Sequence, residues 1–307
     1  MERLTRLALG TRGSDLAIVQ SRLVAEAIAK HSPGLQLETV VIKTSGDEHA
    51  RVQIEDLRAG RKGMFTQEIE SALVAARIDA AVHSAKDLPS EMIDELLIAA
   101  VLPRAETGDV LVAKNNETFD TLPRGAVVAT GSVRRTAQIA AVRDDIKIID
   151  LRGNVPTRLR KLAKSDWAGI VLAGAGLERL GFTRGEFQFE GAALRSSPLP
   201  MRQFVPAGGQ GVIAIQTCTD NLRVRALLAD IDDKPTHLCL LAEREFLRLL
   251  QADCNSAVGV HGSIRDETMT MTAQIFSPRT RAMTISRPLG IQTHLELARE
   301  LFAQIHE

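Results

Sequence analysis

The sequence predicts an α/β protein: two α/β lobes and a small C-terminal α+β domain. Three observations predict it. Strand and helix signals alternate through the first hundred residues, and the alternation returns over residues 109–200. From about residue 233 it stops: a long helical pattern is followed by three strands in succession and a last helix.

The first lobe opens with a strand, "RLALGT". Ser14 then caps a helix that carries Leu16, Val19, Leu23, Val24, Ala27 and Ile28 on one face. "LQLETVVIK" is a second strand, closed by the polar "TSGDEHA". A helix around residues 66–78 and strands at "DAAVHS" and "LLIAAVL" follow. Alternation at this spacing predicts a mostly parallel sheet covered on both faces. In the second lobe, strands fall at "VLVAK", "AVVAT", "IKIID" and "GIVLAG", with helices starting near Ser132 and Asn154. Pro156 sits in the first turn of the latter, where a missing N–H costs little. "SSPLPMRQFVPAGGQG" reads as a loop that carries the chain back, so that "VIAIQT" completes the first sheet. The last domain holds the helix "PTHLCLLAEREFLRLLQ", the strands "AVGVHGSI", "TMTMTAQIF" and "RAMTISRP", and a helix through "HLELARELFAQIHE". The expected division is residues 1–103 with 207–230, residues 104–206, and residues 231–307.

Composition excludes several functions. Lys+Arg and Asp+Glu balance at 38 each, so no global field favours nucleic acid or an anionic membrane, and a basic site must be a local concentration. Tyrosine is absent and Trp167 is the one tryptophan, which leaves no aromatic platform for nucleobases. Three widely spaced cysteines, Cys218, Cys239 and Cys254, form neither a disulfide framework nor a metal pattern. There is no Walker motif, and no GxGxxG lies between strand and helix. No signal-peptide segment and no stretch approaching a membrane span are present, so the expectation is a cytoplasmic protein without membrane or nucleic-acid partners.

Basic residues gather where an α/β protein binds ligands, at strand carboxyl ends and the helix N-termini after them. Arg134 and Arg135, in "ATGSVRRTAQ", open a helix whose macrodipole already makes that end positive, so a negative partner is required. Arg12, Arg152 and Arg158 follow other strands, and Ser14, Thr130 and Ser132 add hydroxyls. Forked guanidinium bonds to carboxylates suit a small ligand bearing several carboxylates or phosphates. The plainer reading is surface arginines paired with acids of the chain itself. In "AAVHSAKDLP", Asp87 is either a charge-stabilising acid or a turn residue, and His83 is either packing or functional. "AGRKGMF" is either a lid carrying Lys62 or a solvated loop. Cys254 reads locally as structural, because Asp253 beside it disfavours a thiolate.

Taken together, "LGTRGSDLA", "KGMF", "AVHSAKDLP", "GSVRRTAQ", "LRGNVPTRL", "LAGAGLERLG", "GGQG" and "AERE", with a cysteine eleven residues after Glu243, resemble the porphobilinogen deaminase (hydroxymethylbilane synthase) family in order and over essentially the whole chain. The resemblance implies two lobes of the type II periplasmic-binding-protein kind with a cleft between them, and a third domain whose cysteine holds a dipyrromethane cofactor through a thioether. It implies a monomeric transferase of tetrapyrrole biosynthesis. Four porphobilinogen molecules are joined head to tail, ammonia leaves at each step, and hydroxymethylbilane is freed by hydrolysis. Carried onto this chain, it makes Cys254 the attachment point and Asp87 the catalytic aspartate. Ser84, Lys86, Asp87, Thr130, Ser132, Arg134, Arg135 and Arg152 become cofactor-binding, and Arg12, Ser14, Lys62, Phe65, Arg152, Arg158, Arg179 and Gln210 substrate-binding. The chain departs from the family pattern at Ala252-Asp253-Cys254, where Gly-Gly-Cys is usual, and at Ala257-Val258-Gly259 after it. Gly208 replaces a usual Val, and "AETGD" keeps only Asp109 of an Asp-Pro-Arg-Asp. A non-catalytic two-lobed protein that binds an anionic solute is the alternative. A regulator is weaker still, since no helix-turn-helix segment precedes the lobes.

Overall fold

The computed structural model describes residues 4–44, 66–182, 184–252, 256–276 and 281–306. Two sheets are built on one plan. In the first, β1 (Arg6–Thr11) lies between β2 (Gln36–Val41) and β3 (Ala80–Ser84), parallel to both. A late strand, β11 (Ile213–Cys218), then inserts antiparallel between β3 and β4 (Leu96–Val101). In the second, β6 (Val127–Ala129) lies parallel between β7 (Lys147–Ile149) and β8 (Gly169–Ala173), and β5 (Asp109–Ala113) pairs antiparallel with β8. Each inserted strand, β5 and β11, comes just after the chain has crossed between sheets. The result is the two-lobed arrangement expected from the resemblance.

Helices cover the first sheet because their apolar spacing demands it. α1 (Asp15–His31) buries Val24 and Ile28, one turn apart, on Leu7, Leu9, Val82 and Ile215. Ser14 caps it by accepting from the Ala17 N–H at 3.4 Å, Asp15 opens it, and Lys30 and His31 close it, in the sense its dipole favours. On the opposite face α2 (Gln67–Val74), shorter than the helix expected over 66–78, packs Ile69, Ala72 and Leu73 on Ile78 and Ala81. β1 is buried on both faces, which is why it reads as an uninterrupted apolar run.

The second lobe departs from the sequence reading at one place. Residues 196–198, read as the start of a loop, end a strand, β10 (Ala192–Pro198), which pairs with β9 (Gly185–Phe189) and with β5. β9 is an edge strand whose residues alternate between exposed and half-buried before Phe189, so it gives a weak hydrophobic signal. Its two-residue turn is Glu190-Gly191, both at positive φ, rather than the usual Asn-Gly.

The C-terminal domain is a meander of β12 (Val258–Arg265), β13 (Thr268–Ile275) and β14 (Arg281–Pro288). Met269, Met271 and Ala273 alternate onto one face and meet Phe246 of α7 (Lys234–Leu249) and Leu297, Leu301 and Ile305 of α8 (Thr293–His306). The other face is polar, with hydroxyl pairs Thr270–Ser286 at 2.8 Å and Thr272–Thr284 at 3.0 Å. The domain docks by main chain: Val260 N–H donates to Pro206 O at 2.8 Å, and a Cβ on Gly259 would stand 2.4 Å from Val205 O. Gly259→Ala must therefore push β12 off the crossing segment. A loss of about 1–3 kcal/mol is expected in denaturant unfolding, the range for overpacked sites. An unchanged midpoint would show that the contact has room to give.

Candidate active site

Arg134 and Arg135 lie in the first turn of α3 (Val133–Val142). Ser132 caps that helix, accepting from the Arg135 N–H at 3.4 Å, and Thr130 Oγ1 accepts from the Ser132 N–H at 3.3 Å. Both arginines are buried, and the required negative group is internal: Asp109, the first residue of β5. Arg134 Nη1 donates to Asp109 Oδ2 and Arg135 Nη2 to Asp109 Oδ1, each at 2.7 Å. Arg134 Nη1 also lies near Gln138 Oε1 at 2.8 Å and Val205 O at 3.0 Å, while Arg135 Nη1 donates to Val171 O at 3.0 Å. Burial alone would raise the Asp109 pKa, but the two guanidiniums outweigh it and hold the carboxyl well below the usual range. One carboxylate against two guanidiniums leaves one positive charge uncompensated.

Facing this pair is the turn after β3. Ala85–Asp87 form a single 3₁₀ turn from which Lys86 and Asp87 project toward solvent. The Lys86 side chain is exposed to solvent, with protein crowded around it. That enclosure lowers its pKa to about 8; Asp87 opposes the shift, and Arg135 and Arg134 of the other lobe add to it. Arg158, on α4 (Val155–Lys164), is lowered to about 10 by burial and by Arg135, and Asp87 again opposes the shift. Arg152 acts on Arg158 as well and is itself paired with Asp150 at 2.9 Å. Lys86, Asp87, Arg135, Arg158 and Arg152 thus share one electrostatic neighbourhood between the lobes, and Asp87 is the acid that acts on both Lys86 and Arg158.

The remaining candidates are placed differently. Arg12, half-buried after β1, acts on His83, whose pKa is lowered to about 4, chiefly by burial. His83 bonds Gln216 Oε1 at 3.1 Å and is a neutral packed residue. Ser84 Oγ pairs with the Gln20 amide at 2.9 Å, and Ser14 is a helix cap. Arg179, at the end of α5 (Gly174–Arg179), donates to Gly211 O at 2.7 Å. It lines a separate groove of about 750 Å³ with Val19 and Arg22 of α1 and residues 230–233. Gln210 Nε2 donates to Asp109 Oδ1 at 2.9 Å and to Thr107 O at 2.6 Å. Cys254, Lys62 and Phe65 lie outside the described residues. Cys239 is a buried thiol whose pKa burial raises to about 12, whereas Cys218 is half-buried, with Sγ toward Leu73 O at 3.4 Å.

Two buried polar atoms beside Asp109 lack a hydrogen-bond partner, the Arg135 Nε–H donor and the Gln210 Oε1 acceptor. Buried polar groups are rarely left so. A donor on a cation and an acceptor beside the same carboxylate fit a group that carries both carboxylates and ring N–H. Sequence reasoning did not foresee Asp109 as the partner of both arginines. The available signal was an acid opening an otherwise apolar, wholly buried strand, "DVLVA".

Residues 7–226 match the model of the porphobilinogen deaminase dipyromethane cofactor binding domain, and residues 237–301 that of the porphobilinogen deaminase C-terminal domain. Similar curated proteins named porphobilinogen deaminase come from Brevibacillus brevis (39% identical, spanning 96% of this chain and 94% of that protein) and Syntrophus aciditrophicus (39%, spanning 96% and 93%). The chain belongs to the porphobilinogen deaminase family. Among solved structures, an ancestral arginine-binding protein bound to glutamine is 16% identical with a TM-score of 0.38, covering 75% of this chain and 92% of that one. Gly208 leaves its place to Leu247 and Val260, which would lie 2.8 and 3.0 Å from an added Cβ.

Asp109→Asn would leave two buried guanidiniums without a counter-charge. The expected loss is about 3–5 kcal/mol in chemical unfolding. Because the folded pKa of Asp109 is depressed, its contribution is present above the ordinary carboxylate range and fades as pH falls through and below it. The variant should therefore show a shallower acid limb than the parent, and parallel limbs would contradict the assignment.

Proposed function

We infer that this chain is a hydroxymethylbilane synthase. It is a transferase that joins porphobilinogen units head to tail on a covalently held dipyrromethane, releases ammonia at each step and frees the tetrapyrrole by hydrolysis. Family membership supports the reaction and the cofactor. The observation that carries the site is Asp87, an acid among Lys86, Arg135 and Arg158 from both lobes. The non-catalytic binding reading is not favoured by that membership. The division into residues 1–103 with 207–230, 104–206 and 231–307 is our proposal, supported by the three sheets and their separate cores. A monomer in the cytoplasm is likewise proposed; among the described residues no helix is long and apolar enough to cross a membrane.

Held on Cys254, the cofactor would supply a free pyrrole α-carbon: a carbon–carbon bond would form there as the substrate's carbon–nitrogen bond and that carbon's C–H bond break, the hydrogen leaving with the amine as ammonia. The chain's own side chains supply position and charge. Arg135, with its unpartnered Nε and net positive surroundings, binds acetate and propionate groups, and Arg158, Arg152 and Lys86 extend that surface. Arg12, with Ser14 and Ser84 nearby, serves from the first lobe. Thr130 and Ser132 hold the Arg135 turn, and Arg134 anchors it through Gln138 and Val205. Asp87 accepts ring N–H bonds and stabilises positive charge as it develops on the ring, a preorganised term worth about 10²–10³ in rate for a single group. Gln210 Oε1 is a second acceptor for ring N–H. Lys62, Phe65 and Arg179 remain assigned to substrate on the family pattern alone.

Asp87→Ala should lose nearly all turnover while Asp87→Glu keeps a measurable part, in a product-formation assay. Equal, near-normal rates would refute the role. Intact-protein mass spectrometry should find a dipyrromethane-sized increment on the parent and none on Cys254→Ser; an unmodified parent would return the case to a binding protein. With Lys86 near 8, its positive charge is lost as pH rises through that value. KM should climb there, and Lys86→Arg should flatten the climb.

A further inference from the structure

The turn that carries Asp87 is held by the returning segment of its own lobe, and that segment is held in turn from the C-terminal domain. Ala85 N–H donates to Val212 O at 3.0 Å, and Val212 N–H donates to Gly209 O at 3.1 Å. Gly209, at φ +75°, approaches so closely that a Cβ would stand 2.9 Å from the Ala85 carbonyl carbon and the Lys86 nitrogen. Only a residue without a side chain makes that approach in that conformation. On its other side the Gly209 N–H donates to Glu243 Oε2 at 2.6 Å. Glu243, on α7 of the C-terminal domain, is fully buried. It also accepts from Arg104 Nη1 at 2.6 Å, Arg104 Nη2 at 3.1 Å and the Gly262 N–H at 2.7 Å. Burial opposes its ionisation, but Arg104 and His261 lower its pKa to about 2, so it is a carboxylate.

Four further bonds complete the frame. Arg244, next to Glu243, donates from Nη2 to Pro89 O at 2.7 Å and to Ser90 O at 3.3 Å, so α7 grips the chain on the far side of Asp87 as well. Gln210, next to Gly209, donates to Asp109, and its carbonyl accepts from Arg104 Nε at 2.9 Å. The segment 209–212 therefore touches the Asp87 turn in one direction and the Asp109–Arg135 pair in the other.

We propose that Glu243 is a positioning residue for the reaction: through the Gly209 N–H and the peptide after it, its carboxylate fixes the Asp87 turn relative to Arg135 across the cleft. This rests on the role given above to Asp87. Glu243 touches neither substrate nor cofactor, and its effect is on geometry.

The test is hydrogen exchange with mass spectrometry on the cofactor-loaded protein, together with kcat and KM, for the parent, Glu243→Gln and Leu301→Ala. In Glu243→Gln an amide NH₂ takes the place of one oxygen, opposite either the Gly209 N–H or the Gly262 N–H, and the negative charge that holds the Gly209 N–H is lost whichever way the amide turns. Exchange over residues 84–90 should rise 10-fold or more, and kcat should fall 10- to 100-fold with KM within about 3-fold. Leu301→Ala removes core packing remote from the loop, so it should lower the melting temperature while exchange at 84–90 and kcat stay near the parent. Unchanged exchange at 84–90 in Glu243→Gln, or a kcat loss matched by Leu301→Ala at equal loss of melting temperature, would overturn the proposal. Should Glu243→Gln not fold, Glu243→Asp keeps the charge and withdraws it by one methylene, and the same readings apply. Normal turnover in Asp87→Ala would remove the catalytic reading and leave the exchange result standing. Unchanged exchange would remove this proposal and leave Asp87 in place.

Discussion

One carboxylate shared by two guanidiniums, Asp109 between Arg134 and Arg135, sets what the cleft can be. Two adjacent cations at the N-terminus of a helix are disfavoured by its dipole, and burying them is worse. Asp109 makes the arrangement possible without cancelling it. A second carboxylate would have neutralised the site, and none would have forced the arginines out into water. On the function we propose, the remaining positive charge, with Lys86 and Arg158 around it, suits the gap between the lobes to carboxylates. Arg134 and Gln138 extend the frame to Val205 and, through a 2.8 Å bond, to Gln274 of the C-terminal domain.

The folding plan explains how residues far apart in sequence reach that gap. Each lobe receives its antiparallel strand after a crossing, so β5 brings Asp109 into the second lobe and β11 follows the loop that holds the Asp87 turn. The return crossing makes close backbone contacts on both sides: Val205 and Pro206 against β12 of the C-terminal domain, and Gly209 against Ala85 of the first lobe. Such contacts admit glycine and little else. The same segments therefore serve stability and site geometry, and damage to one is felt in the other.

Much of this was legible in residue patterns, for stated reasons. α1, β1, β3 and the whole C-terminal meander follow from apolar spacing and from caps such as Ser14. β9 and β10 were not legible, because an edge strand has few buried positions and Glu190-Gly191 is not a standard turn signal. At the site, Lys86 and Asp87 follow β3, Arg135 follows β6 and Arg158 lies in the first turn of α4, positions that the strand and helix patterns give. What sequence spacing cannot show is pairing across 25 residues, as between Asp109 and Arg134, or 139, as between Arg104 and Glu243. Those partners are fixed by tertiary packing, and an isolated acid in an apolar strand was their one local trace.

The central claim is that internal pairing with Asp109 aims Arg135 at the carboxylates of a bound pyrrole while Asp87 meets the ring nitrogens. A crystal structure of the cofactor-loaded protein tests it most directly. The account predicts that the Asp109–Arg135 pair persists, that an acetate or propionate oxygen lies within hydrogen-bond distance of Arg135 Nε, and that the Asp87 carboxylate accepts from ring N–H. Rings held away from Asp87, or Arg135 turned from the cleft with Asp109 bound elsewhere, would contradict it.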